Sequence, residues 1–401
     1  MIRYRADWVL PIADAPIRGG WVALERDRIA DVGSGATDAI NLGRAVILPA
    51  LVNAHTHLEL SYLRDVVPPS TRFTNWVRVL MAARRQYPDP SDPRIIRAAL
   101  AGIDEARATG TGLVGDVSNT LVTVPLLRDA GLAAHVFYEL LGFNTPNPQQ
   151  RVDDARAQVR ETVRADDSVR VSLAPHAPYS VSPALFSAIR TDLDNETAGL
   201  STVHLGESSE ELEFLEDGEG PWRTLLEELG VWTDEWTPPG GSPVEYLADL
   251  GFLDSRVIVV HGVQFSGDDL ATLRSLGVTI VSCPRSNKYV GVGDPPIESF
   301  YAMGVSVAFG TDSLASVQDL NMFSELAHAR RLAPRVSART LLESATLCGA
   351  AALGFERDFG TIEAGKRASL IAVQVPNGVT DVEEYLLSGI EPGAIRWLDH
   401  E

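Results

Sequence analysis

Short, wholly apolar segments recur along the chain, and most are followed by stretches with an apolar residue at every third or fourth position. The first pattern is typical of buried strands and the second of amphipathic helices. Strands are predicted at residues 46–53, 111–117, 133–140, 169–174, 200–205, 256–261, 278–283 and 306–310. Helices are predicted to follow most of them, at residues 94–109, 151–164, 183–193, 268–276 and 320–331. This alternation indicates a parallel sheet, and eight such units predict an α/β protein with a TIM-like (β/α)8 barrel.

Both ends of the chain have a different pattern, in which strand-length apolar runs are separated by Gly and Asp. We expect residues 1–45 and 358–401 to form one small β-sandwich from the two termini, and residues 46–357 to form the barrel domain. The longest insertion, at about residues 208–250, follows the fifth strand and carries three tryptophans: Trp222, Trp232 and Trp236. This insertion is either a lid or wall of a pocket, or a packed excursion.

The formal net charge of −20 narrows the range of partners. Such a field repels phosphates, so it argues against binding to nucleic acid or to anionic membranes. No apolar run is long enough for a transmembrane span, and the first residues lack a signal-peptide core, so we expect a cytoplasmic protein. The two cysteines, Cys283 and Cys348, are far apart and predict neither a disulfide framework nor a thiolate metal site.

Ionisable side chains collect where the predicted strands end, which is where barrel enzymes carry their catalytic groups. His55 and His57 end the first strand. Because residues i and i+2 of a strand point to the same face, both imidazoles can meet at one point. The other groups follow the fourth, fifth, sixth and eighth strands: His176, His204, Glu207, His261 and Asp312.

These side chains suit a metal-dependent hydrolase. Three nitrogens and one oxygen would hold a divalent cation, Zn²⁺ by default with Fe²⁺ or Mn²⁺ as alternatives. The expected ligands are His55, His57, His204 and Asp312. Water on such a metal has its pKa lowered to about 7, which supplies hydroxide at neutral pH. We expect His261 to orient this hydroxide, Glu207 to deliver a proton to the substrate, and Asp312 to take the proton of the water.

Several segments match one known pattern: residues 49–57, His204-x-x-Glu207, residues 282–287, residues 310–313 and a C-terminal Gly-x-Ile-x-x-Gly-Lys signature. In these segments the sequence resembles the amidohydrolase superfamily, within it the branch of guanine, cytosine and S-adenosylhomocysteine deaminases and triazine chlorohydrolases. The resemblance spans nearly the whole chain. It implies a (β/α)8 barrel with a terminal β-sandwich, the same four metal ligands, Glu207 as proton shuttle and His261 at the water. Ser369 departs from the family pattern, which usually has Asp there.

The distribution of lysine residues predicts the number of metal ions in the site. Other branches of that superfamily bridge two metals with a carbamylated lysine on the fourth strand. This chain has no lysine before Lys288, so that bridge is excluded. We therefore expect a mononuclear site.

Glu207 favours deamination, because attack on an amidine-like ring carbon needs a proton for the ring nitrogen and another for the departing ammonia, whereas chloride leaves without one. Residues 55–61 look most like the aminodeoxyfutalosine deaminases of the alternative menaquinone pathway. That resemblance implies conversion of a 6-aminopurine nucleoside bearing a carboxyphenyl ketone to its hypoxanthine form, and an arginine that pairs with the carboxylate. His176 and Trp76 are the expected substrate-binding residues, with a structural hydrogen bond and core packing as their alternatives.

The sequence leaves several alternative functions open, which can be ranked. Deamination of S-adenosylhomocysteine, methylthioadenosine or adenosine comes first, then guanine deamination or triazine dechlorination. A catalytically dead relative used for assembly is disfavoured, because no predicted ligand is lost. A nucleic-acid deaminase is disfavoured by the charge and by the lack of a His-x-Glu…Pro-Cys-x-x-Cys pattern. We expect a small-molecule substrate, and the sequence leaves open whether the chain forms a homodimer.

Overall fold

The computed structural model describes residues 1–35, 38–164, 168–197 and 199–398. Its strands are β1 Ile2–Arg5, β2 Trp8–Val9, β3 Ile17–Arg18, β4 Gly20–Glu25, β5 Arg28–Ser34, β6 Ile40–Asn41, β7 Ala45–Pro49, β8 Leu51–Thr56, β9 Thr111–Ser118, β10 Ala133–Leu140, β11 Val169–Pro175, β12 Ser201–Leu205, β13 Val257–His261, β14 Thr279–Ser282, β15 Ser306–Phe309, β16 Leu370–Gln374 and β17 Ile395–Trp397. Its α-helices are α1 Phe73–Arg84, α2 Pro93–Ala108, α3 Thr123–Ala130, α4 Pro148–Thr162, α5 Pro183–Asn195, α6 Ser209–Asp217, α7 Gly220–Glu228, α8 Pro243–Asp249, α9 Gly267–Leu276, α10 Pro284–Val290, α11 Ile297–Ala302, α12 Met322–Leu332, α13 Ala338–Glu343, α14 Gly349–Ala352 and α15 Val382–Leu386.

Two four-stranded parallel sheets form the centre of the molecule, in the orders β11-β10-β9-β8 and β12-β13-β14-β15. Their strands are buried on both faces, as in Val257–His261, because helices cover them. The helices have clear start signals: Asp92 accepts a hydrogen bond from the Arg94 N–H at 2.8 Å, and Pro93 begins α2. The predicted α/β fold with parallel sheets is confirmed.

The two parallel sheets approach each other at both pairs of edge strands, β11 with β12 and β8 with β15. At one side the His204 N–H donates to the His176 carbonyl oxygen at 2.9 Å. At the other side the Asp312 N–H donates to the His55 carbonyl oxygen at 3.0 Å. The carboxyl ends of strands from both sheets therefore meet, which brings their histidines and carboxylates together.

The terminal segments form two further sheets, of which the five-stranded one contains strands from both termini and the four-stranded one only strands from the N-terminal segment. One has five strands in the order β17-β16-β7-β2-β3, and the other has four in the order β5-β4-β1-β6. Apolar side chains from both sheets form one buried cluster, which includes Tyr4, Val9, Val22, Leu24, Ile47 and Leu370.

The first predicted strand is wrong in its bounds. Residues 46–53 were expected to form one strand, but Ala45–Pro49 pairs with β16 in the five-stranded sheet, and Leu51–Thr56 pairs with β9 in a parallel sheet. The chain changes sheet at Ala50, whose N–H donates to the Ser369 carbonyl oxygen at 2.9 Å. Since both halves of the run are buried, hydrophobicity alone cannot reveal the change. The other seven predicted strands match an observed strand to within one residue at each end.

The insertion after the fifth predicted strand folds into the helices α6, α7 and α8. Trp232 and Trp236 pack there with two phenylalanines, and the rings of Phe214 and Trp236 stack with centroids 4.6 Å apart. Within the part of the chain that the structure describes, no helix has both the length and the apolar character needed to cross a membrane.

Candidate active site

Three histidines converge at the carboxyl ends of the parallel strands. One ligand atom from each of His55, His57 and His204 lies within 4.8 Å of the others. The Oδ1 atom of Asp312 lies 3.9 Å from His55 Nε2 and 3.5 Å from His57 Nε2. His55 Nε2 is buried and has no hydrogen-bond partner among the described residues. Buried polar atoms in proteins nearly always have a partner, and a metal ion bound here would provide one for this nitrogen.

The protonation state of these rings also suits a metal. Burial, followed by the neighbouring histidines, holds the pKa of His55 and of His57 well below the ordinary value. Burial also lowers the pKa of His204 to about 4. Its Nδ1 donates to the His176 carbonyl oxygen at 3.0 Å, which leaves Nε2 for a metal. The rings are therefore neutral ligands at pH 7, and the residues present fit a divalent metal.

A second group of possible metal ligands shares His204 and adds Glu139 and His176. One nitrogen of each of these histidines is already used: His176 Nδ1 lies 2.6 Å from the Ser180 hydroxyl oxygen, and His204 Nδ1 donates to the backbone. The unpartnered Nε2 of His55 favours the group with His55 and His57 as the one that fits a metal. Burial, then the charge of Arg84, lowers the pKa of His176 to about 4.

Asp312 is held by hydrogen bonds from its own loop and from α10. Its φ of 63° lies in the left-handed region, which costs a residue with a side chain about 1–3 kcal/mol. The Ser313 N–H donates to Oδ1 at 2.7 Å, and the hydroxyls of Ser286 and Ser316 donate to Oδ2 at 2.6 and 3.2 Å. Gly310 is required nearby, because a Cβ there would lie 2.6 Å from the His55 carbonyl oxygen.

His261 and Glu207 form the second part of the site. His261 Nδ1 donates to Asn287 Oδ1 at 2.8 Å, and its Nε2 lies 3.6 Å from Glu207 Oε1. His261 also has a positive φ, of 78°. Burial, and then the charge of Asp312, raises the pKa of Glu207 well above the ordinary value. Burial therefore favours the protonated form of the Glu207 carboxyl group and the neutral form of the His261 imidazole beside it.

The loop that carries Glu207 is fixed by another buried carboxylate. Glu211 accepts hydrogen bonds from the N–H groups of Gly206 at 3.1 Å and Glu207 at 2.9 Å. Burial raises the pKa of Glu211 to about 7. We call His55, His57, His204, Glu207, His261 and Asp312 together the catalytic floor.

A cavity of about 340 Å³ opens above the catalytic floor. This volume is at the lower end of the range of small-molecule sites. Its sides are mostly apolar, and four rings, which we call the aromatic wall, line it: Phe73, Trp76, Tyr179 and Trp222. Tyr179 and Trp222 stack with centroids 3.7 Å apart. Because Trp222 and Leu225 come from α7, the insertion forms a wall of the cavity.

A chain of polar contacts joins the side of the cavity to the catalytic floor. Arg84 donates to Asn119 Oδ1 at 3.0 Å, and Asn119 donates to Glu139 Oε2 at 2.8 Å. The other oxygen of Glu139 lies 3.5 Å from His204 Nδ1. Glu139 is buried, and desolvation raises its pKa while His204 and then the hydrogen bond from Asn119 lower it.

The structure thus brings together every residue that the sequence predicted for the site: the catalytic floor lies below the cavity, and His176 and Trp76 line the cavity. Their roles stay predictions. Sequence reasoning did not assign a role to Asn287 or Ser286, although both lie in the segment 282–287 that carries the family resemblance. It also missed Glu139, for which a carboxylate at the end of an apolar strand was the available signal.

Comparisons with known proteins agree with this geometry. The model of the amidohydrolase family matches residues 46–388. The aminodeoxyfutalosine deaminase of Deinococcus radiodurans is 34% identical over 331 residues, covering 79% of this chain and 75% of that protein. The 5-methylthioadenosine/S-adenosylhomocysteine deaminase of Moorella thermoacetica is 28% identical, covering 98% and 95%. The structure of an adenosine deaminase from Xanthomonas campestris with bound zinc superposes with a TM-score of 0.83 at 26% identity, covering 98% and 90%.

Proposed function

The chain belongs to the amidohydrolase family and is a hydrolase that acts on carbon–nitrogen bonds, and from this premise we propose that it deaminates a 6-aminopurine nucleoside. The preferred substrate in this proposal is aminodeoxyfutalosine, which would place the enzyme in menaquinone synthesis. One observation carries the proposal: Glu207 lies 3.6 Å from His261 at the metal-ligand cluster, below a cavity lined by aromatic rings.

We propose one Zn²⁺ per chain, held by His55, His57, His204 and Asp312. The unpartnered Nε2 of His55 and the zinc bound in the Xanthomonas relative support this assignment. When bound, a divalent metal lowers the pKa of a water molecule to about 7 and so supplies hydroxide at neutral pH.

The protein's own groups move the protons. With Nδ1 held by Asn287, His261 presents Nε2 to the attacking oxygen and orients it. Asp312 takes the proton of the water, and Glu207 donates a proton to the ring nitrogen next to the amino-bearing carbon. A carbon–oxygen bond forms between the attacking oxygen and the amino-bearing carbon, and the carbon–nitrogen bond breaks as Asp312 passes its proton to the departing amino group, which leaves as ammonia. The new hydroxyl group gives its proton to Glu207, which restores the carboxyl group. One water is consumed and one ammonia released, so no oxidant or reductant is needed.

The size and character of the cavity support an adenine nucleoside with an apolar group on its 5′ side. A purine ring can stack on the aromatic wall, as bases do on aromatic side chains. The relative that is 34% identical supports the carboxyphenyl substrate. Deamination of methylthioadenosine or S-adenosylhomocysteine is the second candidate, because the Moorella relative matches 98% of the chain.

We further propose that the two parallel sheets close into one eight-stranded barrel, and that the terminal sheets form a β-sandwich. The backbone hydrogen bonds from His204 to His176 and from Asp312 to His55 support closure. The apolar cluster shared by the two terminal sheets supports the sandwich.

The test is ammonia release by the zinc-loaded protein from aminodeoxyfutalosine, S-adenosylhomocysteine, methylthioadenosine, adenosine, guanine and a chlorotriazine. We expect the highest kcat/KM for aminodeoxyfutalosine, with a hypoxanthine product. A higher value for methylthioadenosine would favour the second candidate. If no adenine nucleoside is deaminated while zinc is bound, the proposed function is wrong.

A further inference from the structure

Two neighbouring arginines, Arg84 and Arg85, line the cavity at the end of α1. This is notable in a chain with a formal net charge of −20. The two side chains differ in their surroundings, and the difference separates their roles.

Arg84 already has partners. It donates to Asn119 at 3.0 Å and lies 3.5 Å from a carboxylate oxygen of Glu59, which is itself buried. Through Asn119 it is connected to Glu139 and the catalytic floor. Its charge therefore balances the buried carboxylates of this region and is not free for a ligand.

Arg85 is exposed, and its side chain makes no hydrogen bond or ion pair with any residue in the described part of the chain. Leu141, which is 45% exposed, also lines the cavity, so Arg85 and Leu141 lie at its mouth. A guanidinium group has five N–H donors, and one whose donors have no partner is suited to bind a carboxylate or phosphate that enters with the ligand.

The aromatic wall adds a second, independent observation. The indole N–H groups of Trp76 and Trp222 are buried and have no hydrogen-bond partner among the described residues. Buried donors without partners are rare in proteins, and a ligand with acceptor oxygens near these rings would provide partners. A mostly apolar cavity with unpaired donors and a free cation at its mouth suits an arene that carries an acceptor and an anionic group.

We propose that Arg85 is the specificity-determining residue that binds an anionic group on the 5′ side of the nucleoside, a carboxylate attached to an aryl ketone. The inference rests on the proposed function, because the anion is brought to the cavity by the nucleoside. The two arginines thus have different roles. Arg85 binds the anionic group of the substrate, and Arg84 supports Asn119 and Glu139, which lie behind His204.

The experiment compares aminodeoxyfutalosine with its methyl ester, which keeps the aryl ring and removes the charge. The zinc-loaded wild-type protein is expected to prefer the acid in kcat/KM by roughly tenfold, the size of one charge-assisted pair at an exposed site. In Arg85→Gln the ratio of acid to ester should fall to about 1, mainly through KM for the acid. Arg85→Glu should reverse the preference.

Arg97→Gln is the matched control, because Arg97 is an exposed arginine on α2 that does not line the cavity. It removes the same charge from the protein and should leave the acid-to-ester ratio as in the wild type. Arg84→Gln should lower kcat/KM for acid and ester alike. An unchanged ratio in Arg85→Gln, or the same fall in Arg97→Gln, would overturn the role of Arg85.

A binding measurement separates this inference from the proposed function. Association of 3-acetylbenzoate and of its methyl ester with the zinc-loaded protein can be followed by ligand-observed NMR, without any turnover. If no adenine nucleoside is deaminated, the proposed function fails, and Arg85 is judged by binding alone. Weaker binding of the benzoate to Arg85→Gln than to wild type and Arg97→Gln supports the anion site. Equal binding to all three proteins refutes it.

Discussion

The catalytic floor and the aromatic wall lie against the same cavity but are built in different ways. Floor residues sit at strand ends and are tied by short polar contacts, such as the 2.6 Å hydrogen bond from Ser286 to Asp312. Wall residues come from helices and loops and are positioned by ring packing, as in the 3.7 Å stack of Tyr179 and Trp222. In our proposal the floor provides the chemistry and the wall provides the choice of substrate.

The two regions also differ in backbone strain. Two residues of the catalytic floor, His261 and Asp312, have positive φ, whereas none of the four rings of the aromatic wall does. Such strain persists only where the surroundings hold it, and here the parallel strands and the contacts to Asn287 and Ser286 do so. In our proposal these contacts keep the donors and ligands of the floor aligned.

The largest effect is expected from removing the proposed proton donor of the floor. Glu207→Gln keeps the shape of the side chain but cannot deliver a proton, so kcat should fall by roughly 10³-fold, within the usual range for a general acid or base. Zinc content and thermal stability should stay close to wild type. Ammonia release, zinc analysis and thermal unfolding measure the three quantities.

The matched control for that variant is Glu216→Gln, which makes the same change at an exposed carboxylate on α6. Its activity should equal that of the wild type. If Glu207→Gln keeps most of its activity with zinc bound, the floor does not work as proposed.

An intermediate effect is expected from the contact behind the floor. Glu139→Gln weakens the interaction with His204 Nδ1, now 3.5 Å away, and outer contacts of this kind usually change metal affinity by about 10–100-fold. Competition with a chromogenic chelator gives the zinc affinity. Glu298→Gln, which alters a carboxylate that pairs with the exposed Arg335, is the control and should leave the affinity unchanged. Equal zinc affinities of the wild type, Glu139→Gln and Glu298→Gln would exclude the proposed role of Glu139.

The smallest effect is expected from the wall. Trp222→Leu removes the ring that stacks on Tyr179 and should raise KM for adenine nucleosides by roughly tenfold, since stacking of a base on an aromatic ring contributes about 1–3 kcal/mol. The fall in kcat should be much smaller. Steady-state kinetics on adenosine and methylthioadenosine separate the two parameters.

Trp236→Leu controls for general destabilisation by loss of a tryptophan, because Trp236 packs on Phe214 within the insertion and does not line the cavity. It should lower the melting temperature without raising KM. A fall in kcat of Trp222→Leu as large as that of Glu207→Gln would break the division between floor and wall.

The floor could be predicted from the sequence because its chemistry is local. A histidine at a strand end, such as His261, has its place set by the period of the strand and by the edge where parallel strands end. The predicted strand 46–53 failed at Ala50 for the opposite reason, since the change of sheet depends on contacts with Ser369 and Gly110, far away along the chain.

Of the wall, only Trp76 was expected near the substrate, because the positions of the other three rings depend on tertiary packing between distant segments. Trp222 reaches the cavity only because α7 packs against α1, and its spacing in the sequence does not distinguish this position from those of Trp232 and Trp236. Arg85 is one of many arginines in the sequence, and only the structure places it at the mouth of the cavity, next to Arg84 yet without a side-chain partner among the described residues.

The most direct test of the account is a zinc titration of the metal-free protein, followed by ammonia release from aminodeoxyfutalosine. A single site formed by His55, His57, His204 and Asp312 predicts that activity rises linearly and reaches its plateau at one zinc per chain. A plateau at two zinc ions, or activity that is the same with and without metal, would contradict the account.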